Sequence, residues 1–438
     1  MNNKDHNQNW CDIELLVYAL FAALAAGIVF YLFYYDPVNF ALFITEDHFA
    51  EYGTSVSFGL AGIILLILSL APGPKIRRVV WIFIGITALV IAAEEISWGQ
   101  RIFNIETPTS LREQNLQNEV SIHNLAAFQS YNRKLRYYAS YLILSYLIVS
   151  LTVPALKPRL AKTFTNIGIP LIPIRLFPVF LLAPYFFIFT PLAKNDELVE
   201  LFLGITVLIW AVDLSTLSIG RKQFSSFTSV LTSTGILLLA GIITAGLTYK
   251  HSASAGATYR LNLMASRDYY NREMYGQAKT IYTHIYHHPQ YLMENTRINH
   301  AKMLQATGEE AQATQILIKA ATHLEAKVLQ KDSNKLRFRR LGVIYMMLAE
   351  SKLADNYFDK SIEVDQRKLA LNPTPDEKAK LLLSISQTME ARGDISSAIN
   401  NIERANKYVQ SAALRFHLER RLKKLVKLQT GSFQVYLP

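Results

Sequence analysis

Two adjacent carboxylates close an apolar run in this chain. In Ala92-Ala93-Glu94-Glu95-Ile96-Ser97-Trp98-Gly99-Gln100-Arg101, the pair ends a stretch that begins near Val79 and is followed by an indole and a guanidinium. At about 1.5 Å per residue from Val79, Glu94 and Glu95 would lie roughly 23 Å along a helix crossing a membrane. An ionised group at that depth costs about 2–3 kcal/mol unless paired or hydrated, so the pair is expected to face a bundle interior and not lipid. A helix continuing through Arg101 would put Glu94, Ser97, Trp98 and Arg101 on one stripe, with Glu95 turned roughly a hundred degrees away.

The loop beyond adds Glu106, Asn115, Glu119, His123 and Asn124. Glu94, Glu95 and His123 have the side chains a general acid/base pair needs. Trp98, Gln100, Arg101 and Asn124 could orient a polar ligand beside them. Carboxylate and imidazole also ligate metals, which makes Glu95, His123 and His48 the candidates, with Asp47 and Glu51 next to His48. No H-x-x-x-H or C-x-x-C spacing accompanies them, and no cofactor is implied. The structural alternative is a network in which Arg101 neutralises one glutamate and Trp98 anchors the interface. Asp213 is a further acid inside an apolar run, suited to pairing, proton binding or helix packing. The chain has no P-loop, G-x-S-x-G or dinucleotide fingerprint.

Apolar runs must position these residues. Seven are long enough to approach the roughly 20 residues that span a bilayer: 13–35, 54–70, 79–98, 137–153, 176–192, 198–219 and 227–249. The fifth is punctuated by Pro178, Pro184 and Pro191, which kink a span. The first lacks a small-residue cleavage site after it and reads as an uncleaved anchor. The loop after it carries Asp36, Glu46, Asp47 and Glu51 without Lys or Arg. Lys75, Arg77 and Arg78 follow the second span; Lys157, Arg159, Lys162 and Arg175 follow the fourth; Arg221 and Lys222 follow the sixth. Basic even-numbered loops predict a cytoplasmic amino terminus and an external carboxyl-terminal part. Arg101, Arg112, Arg133, Lys134 and Arg136, after the third span, vote the other way.

Composition changes near Tyr249. Residues 1–248 carry 16 Lys/Arg and 16 Asp/Glu, whereas residues 249–438 carry 29 and 18, so the whole net charge of +11 sits in the second part. Such a balance suits acidic neighbours: anionic lipid, envelope polysaccharide or an acidic protein face. Nucleic acid is not expected, because no binding motif accompanies the charge. The single cysteine, Cys11, excludes an intrachain disulfide.

The second part repeats. Leu341-Gly342-x-x-Tyr345 with Ala354, Phe358 and Ser361 has small and large positions that recur at Leu382, Ile385, Gly393-Asp394, Ala398 and Ile402. Ala301, Leu304, Gly308, Ala313 and Leu317 form another copy. Small residues belong where two helices of a hairpin cross closely, and large ones fill the space to the next hairpin. This pattern resembles the TPR family over residues 259–412, and the resemblance implies a peptide- or protein-binding groove. Residues 414–428, with Arg420, Arg421, Lys423, Lys424 and Lys427, read as a basic capping helix with a solvated outer face, or else one drawn to an anionic membrane surface. The passage EEISWGQRIFNIETP with the later QNEVSIHN resembles a stretch of bacterial integral membrane proteins of unassigned activity.

The expected fold class is therefore all-α: a polytopic helical membrane bundle of about seven spans over residues 1–250, then a TPR-like α-solenoid over residues 251–438. The expected function is a bacterial inner-membrane protein of cell-envelope assembly, a scaffold presenting its TPR-like domain in the periplasm. Its partners would be membrane lipids and a protein held in the groove. The alternative is a membrane-embedded hydrolase or transferase acting on a lipid or lipid-linked glycan at the outer leaflet.

Overall fold

The computed structural model describes residues 3–45, 48–103, 105–112, 114–115, 119–122, 125–168, 171–188, 196–218, 226–251, 255–330 and 334–430. The described residues are 84% helical and contain no strand. They form two compact units: Met1–Glu106, Val120–His123 and Phe128–Leu261 make the first, and Thr107–Glu119, Asn124–Ala127 and Asn262–Pro438 make the second.

The first unit is built from α1 (Asn3–Tyr35), α2 (Phe49–Ser69), α3 (Lys75–Glu95), α4 (Ala126–Leu156), α5 (Pro158–Asn166), α6 (Leu182–Ile188), α7 (Asp196–Ser218) and α8 (Ser226–His251). Four segments are long and apolar enough to cross a membrane: Ile13–Tyr35, Phe49–Ser69, Lys75–Glu95 and Asp196–Ser215. Ser140–Leu156, Ile174–Ile188 and Thr234–Leu247 are apolar but shorter. The expected fifth span is broken into Ile174–Leu176, Phe177–Phe180 and α6, and residues 189–195 lie outside those described. Pro178 and Pro184 explain the interruption, because proline neither donates to the preceding turn nor clears its carbonyl.

Helix α2 is the hub of this unit, packing against α3, α7 and α8. Its small residues permit that. A methyl group on Gly62 would stand 2.8 Å from the Gly85 carbonyl of α3, and one on Gly53 would stand 2.7 Å from Leu201 of α7. Such close backbone approach brings the helices into extensive van der Waals contact. Leu65, Trp81, Leu176, Leu208 and Ala211 fill the remaining core.

The second unit contains α9 (Tyr275–His287), α10 (Thr296–Ala306), α11 (Glu310–Gln330), α12 (Lys335–Met347), α13 (Ser351–Leu369), α14 (Pro375–Arg392), α15 (Ile395–Asn406) and α16 (Ala412–Gln429). Each helix from α9 onward packs on the next, while α12 also meets α14 and α14 meets α16. The helices thus stack as successive hairpins, with α12, α14 and α16 side by side in one layer. Local chemistry sets their ends. Thr374 and Glu377 form a capping box at α14 with Pro375 in its first turn, and Gly393 (φ 92°) closes it in the left-handed region. Asp394 then accepts from Ser397 N (3.0 Å) to start α15, and Ser411 accepts from Leu414 N (3.4 Å) to start α16. The hairpins cross tightly at the small positions. A methyl on Gly342 would meet the Phe358 ring at 2.6 Å, and fully buried Ala398 lends its carbonyl to Ser386 Oγ at 2.8 Å.

Candidate functional site

The glutamate pair occupies a sharp helix end. Helix α3 stops at Glu95 instead of running on, because Ser97 (φ 47°), Trp98 (φ 56°) and Gly99 (φ 76°) enter the left-handed region in succession. The shared helical stripe expected for Glu94, Ser97, Trp98 and Arg101 is therefore absent. A side chain in that region costs about 1–2 kcal/mol, so the turn persists only if its contacts over-determine it. They do. Glu94 Oε1 accepts from Trp98 Nε1 at 2.6 Å, and Glu94 Oε2 accepts from Ile122 N at 2.7 Å. Gln100 Oε1 accepts from Val120 N at 2.7 Å. Ser55 Oγ of α2 donates to the Ala92 carbonyl at 2.7 Å, satisfying one of the four carbonyls a helix end leaves open.

Glu94, Trp98 and Gln100 thus clamp residues 120–122 to the end of α3, and indole and backbone N–H groups serve the Glu94 carboxylate. Glu95 is half-buried beside it as the last residue of α3. His48 is buried at the N-cap position of α2, without a side-chain hydrogen bond to the helix end. Because α2 and α3 run antiparallel, His48 and the glutamate turn belong to the same end of the unit. His123, Asn124, Glu46 and Asp47, and the side chain of Arg101, lie outside the described residues, as do Arg221 and Lys222. Among the described residues no group of three His, Cys, Asp or Glu side chains is placed to hold a metal.

A second charged cluster lies within the same unit. Arg175, in the Ile174–Leu176 turn, reaches Asp213 of α7 at 2.6 Å and Glu14 of α1 at 3.1 Å. Both carboxylates are nearly inaccessible, with side-chain exposures of 3% and 6%. Only Asp213 stood out in the sequence. Glu14 is the second residue of the first apolar run, and Arg175 had the position of an ordinary loop cation. Separations of 38 and 161 residues leave no local signal of their meeting. The triad joins three elements, and breaking it strands a buried charge.

The second unit carries an open basic cleft along one face of its stack. A cavity of about 620 Å³ is lined by Leu383 and Gln387 of α14 and by His417, Arg420, Lys423 and Lys427 of α16. It adjoins one of about 330 Å³ that includes Asn295, Ile298, Asn299, Arg339 and Val343, the two sharing Gln387 and Arg421. Two carboxylates are already engaged at its edges. Glu390, 2% exposed, accepts from Arg421 and from Lys424 Nζ (3.0 Å). Glu294 holds Arg340, with Arg337 and Lys327 each at 3.3 Å, and these cations keep its carboxyl below the usual range despite partial burial.

Arg339 is bonded to Gln387 Oε1 (2.8 Å), not to a carboxylate. Burial, followed by the nearby Arg421 and Arg340, pushes its guanidinium down to about 10. Burial and Lys424 likewise push Lys302 down to about 8. The cations of the basic helix, the half-buried Arg421 apart, are exposed, as expected of a solvated face, and the same face forms one wall of the open cleft. Residues 417, 420, 421, 424 and 427 follow the spacing of one helical face, but only the stack shows what that face looks onto. No protein-family model, curated protein or solved structure matches the chain.

Proposed function

We propose that this chain is a multi-pass protein of the bacterial inner membrane that holds a TPR-like repeat domain outside the membrane and recruits a protein partner there during cell-envelope assembly. About seven spans carry it: the four long apolar helices and the three shorter apolar stretches, of which Ile174–Ile188 is broken. The amino terminus is cytoplasmic in this reading. Its basic support is Lys75, Arg77 and Arg78 at the start of α3, with Lys157, Arg159 and Lys162 on or beside α5. Arg175 leaves that tally because its charge is consumed by Asp213 and Glu14.

The observation that carries this reading is the continuous open cleft crossing α10, α12, α14 and α16. Stacked hairpins present such a face at no cost to their core, and a recruiting domain needs it. At the other candidate site, both oxygens of Glu94 are occupied inside the turn, which favours a structural role there. The test places a photocrosslinking residue at Gln387 in the cleft and, separately, at Lys319 on α11, in cells. Discrete protein adducts from Gln387 alone are expected. Adducts from neither position, with loss of complementation by Glu95→Gln at normal abundance, would favour the lipid- or glycan-processing enzyme instead.

A further inference from the structure

We propose that the cleft of the second unit selects an acidic, extended peptide segment of its partner, taking the partner's carboxylates on Arg339, Arg420, Lys423 and Lys427. This rests on the recruiting role proposed above and adds the chemistry of what is recruited.

Three features of the cleft point to that occupant. The first is unbalanced charge. Glu390 and Glu294 are each committed to two or more cations, and among the described residues no carboxylate pairs with Arg339, Arg420, Lys423 or Lys427. Like charges crowd one another there: Arg421 and Arg340 act on Arg339 more strongly than Asp365 and Glu390 offset them, and Arg420 acts on His417. An incoming carboxylate relieves that repulsion, and a guanidinium fork is shaped to receive it.

The second feature is the floor between the cations. Ile298, Val343, Leu383 and Ala391 supply apolar surface, while Asn295, Asn299 and Gln387 offer amides able to pair with a peptide backbone. A polyphosphate would use the cations and leave the apolar floor idle. A flat lipid surface could not enter a recess between stacked helices.

The third is length. Helices α12, α14 and α16 lie side by side at about 8–10 Å and the cleft runs on to Asn295, Ile298 and Asn299, so the track is roughly 20–30 Å, which an extended chain covers with about six to nine residues at ~3.3 Å each. A segment of that size can place several carboxylates against the α16 stripe while apolar side chains reach α12 and α14.

The experiment uses the full chain in detergent micelles and fluorescence anisotropy. The probe is a labelled peptide of about ten residues alternating glutamate with leucine. Its counterpart has glutamine in place of glutamate, and inorganic polyphosphate is the competitor. The glutamate peptide is expected to bind about tenfold or more tighter than the glutamine peptide, and to lose that margin as salt rises from about 0.05 to 0.3 M. Arg420→Glu with Lys423→Glu should weaken it at least about tenfold, whereas Lys319→Glu with Lys352→Glu, an equal charge change on α11 and α13, should alter it less than about twofold.

Equal binding of the two peptides would overturn the acidic preference while leaving a peptide groove in place. Polyphosphate that binds more tightly than the peptide, and is lost in the Arg420/Lys423 variant, would reassign the cleft to phosphorylated polymers. Binding of neither peptide would overturn this proposal, and the Gln387 crosslink in cells would still decide separately whether the cleft recruits protein at all. Thermal melts accompany each variant. If the double substitution fails to fold, Lys427→Gln and the salt titration decide the same question.

Discussion

The two units handle charge differently, and the contrast follows from their composition, one an apolar bundle and the other a stack rich in charged residues. Among the apolar helices of the first unit, Glu94 is answered by an indole and a backbone N–H and Arg175 by two carboxylates, whereas Arg260, beyond those helices, is buried with two guanidinium nitrogens unpartnered. In the second unit cations outnumber acids and several look into an open cleft. An unanswered charge in an apolar bundle costs several kcal/mol, whereas water screens the same charge at a cleft wall. A charge left over in an open cleft can therefore be held ready for a ligand. In the bundle it has to be neutralised by the chain itself.

The sharpest way to break this contrast is to remove Arg175. Arg175→Met leaves Glu14 and Asp213 buried together and should cost about 3–5 kcal/mol, read as a large fall in membrane-fraction abundance and monodispersity. Replacing all three (Glu14→Gln, Arg175→Met, Asp213→Asn) should restore much of the loss. Wild-type abundance for Arg175→Met alone would show that the bundle tolerates unpaired charge after all.

Packing offers a second comparison, since each unit crosses helices at a glycine. Gly342→Leu should overpack the Phe358 contact and cost about 1–3 kcal/mol, seen as a lower melting temperature. Gly62→Leu should do the same at the α2–α3 crossing and lower folded yield. An unchanged melt for Gly342→Leu would mean that the α12–α13 crossing opens freely.

Glu94→Gln comes next in size. One N–H of the clamp, from Trp98 or Ile122, must then face an amide NH₂, a loss of about 1 kcal/mol for a half-exposed bond. The measurement is the tryptophan emission difference between this variant and Trp98→Phe, together with protease sensitivity near residue 120. Emission and cleavage identical to wild type would remove the clamp as a structural device.

A further difference is one of pH in the second unit. His300 stacks on Tyr282 with ring centres 4.6 Å apart, and its Nδ1 lies 3.1 Å from Tyr286 Oη. Burial, followed by Lys279, lowers it from 6.5 to about 4. Between those values the unfolded chain binds the extra proton, so stability should fall as pH drops through the window and level off below about 4. Hydrogen exchange of peptides from α9 and α10 should accelerate over that range, and His300→Phe should flatten the response. A pH-independent exchange rate in the wild type would contradict a buried neutral imidazole.

Much of the second unit is legible in the sequence because its signals are local. The Thr374-Pro375-Asp376-Glu377 start, the Gly393-Asp394 junction and the small positions at Gly342 and Ala398 each act within one hairpin. The first unit is legible in its apolar runs but not in its joints. Proline placement signals the broken segment before α6, yet nothing local signals three left-handed residues after Glu95, since only Gly99 among them favours that conformation.

By itself, then, the sequence determined that the chain is helical, that several of its runs are apolar enough to enter a membrane, and that all excess positive charge lies beyond residue 248. Those properties are sums over neighbours along the chain. The tertiary structure alone decided who answers whom: that Glu94 is held by Trp98 and Ile122, that Arg175 joins Glu14 to Asp213, and that the α16 cations face Gln387 and Leu383 across a cleft. The physical reason is range. Helix propensity and hydropathy act over a few residues, whereas ion pairs and cleft walls are made by side chains that only folding brings within a few ångströms.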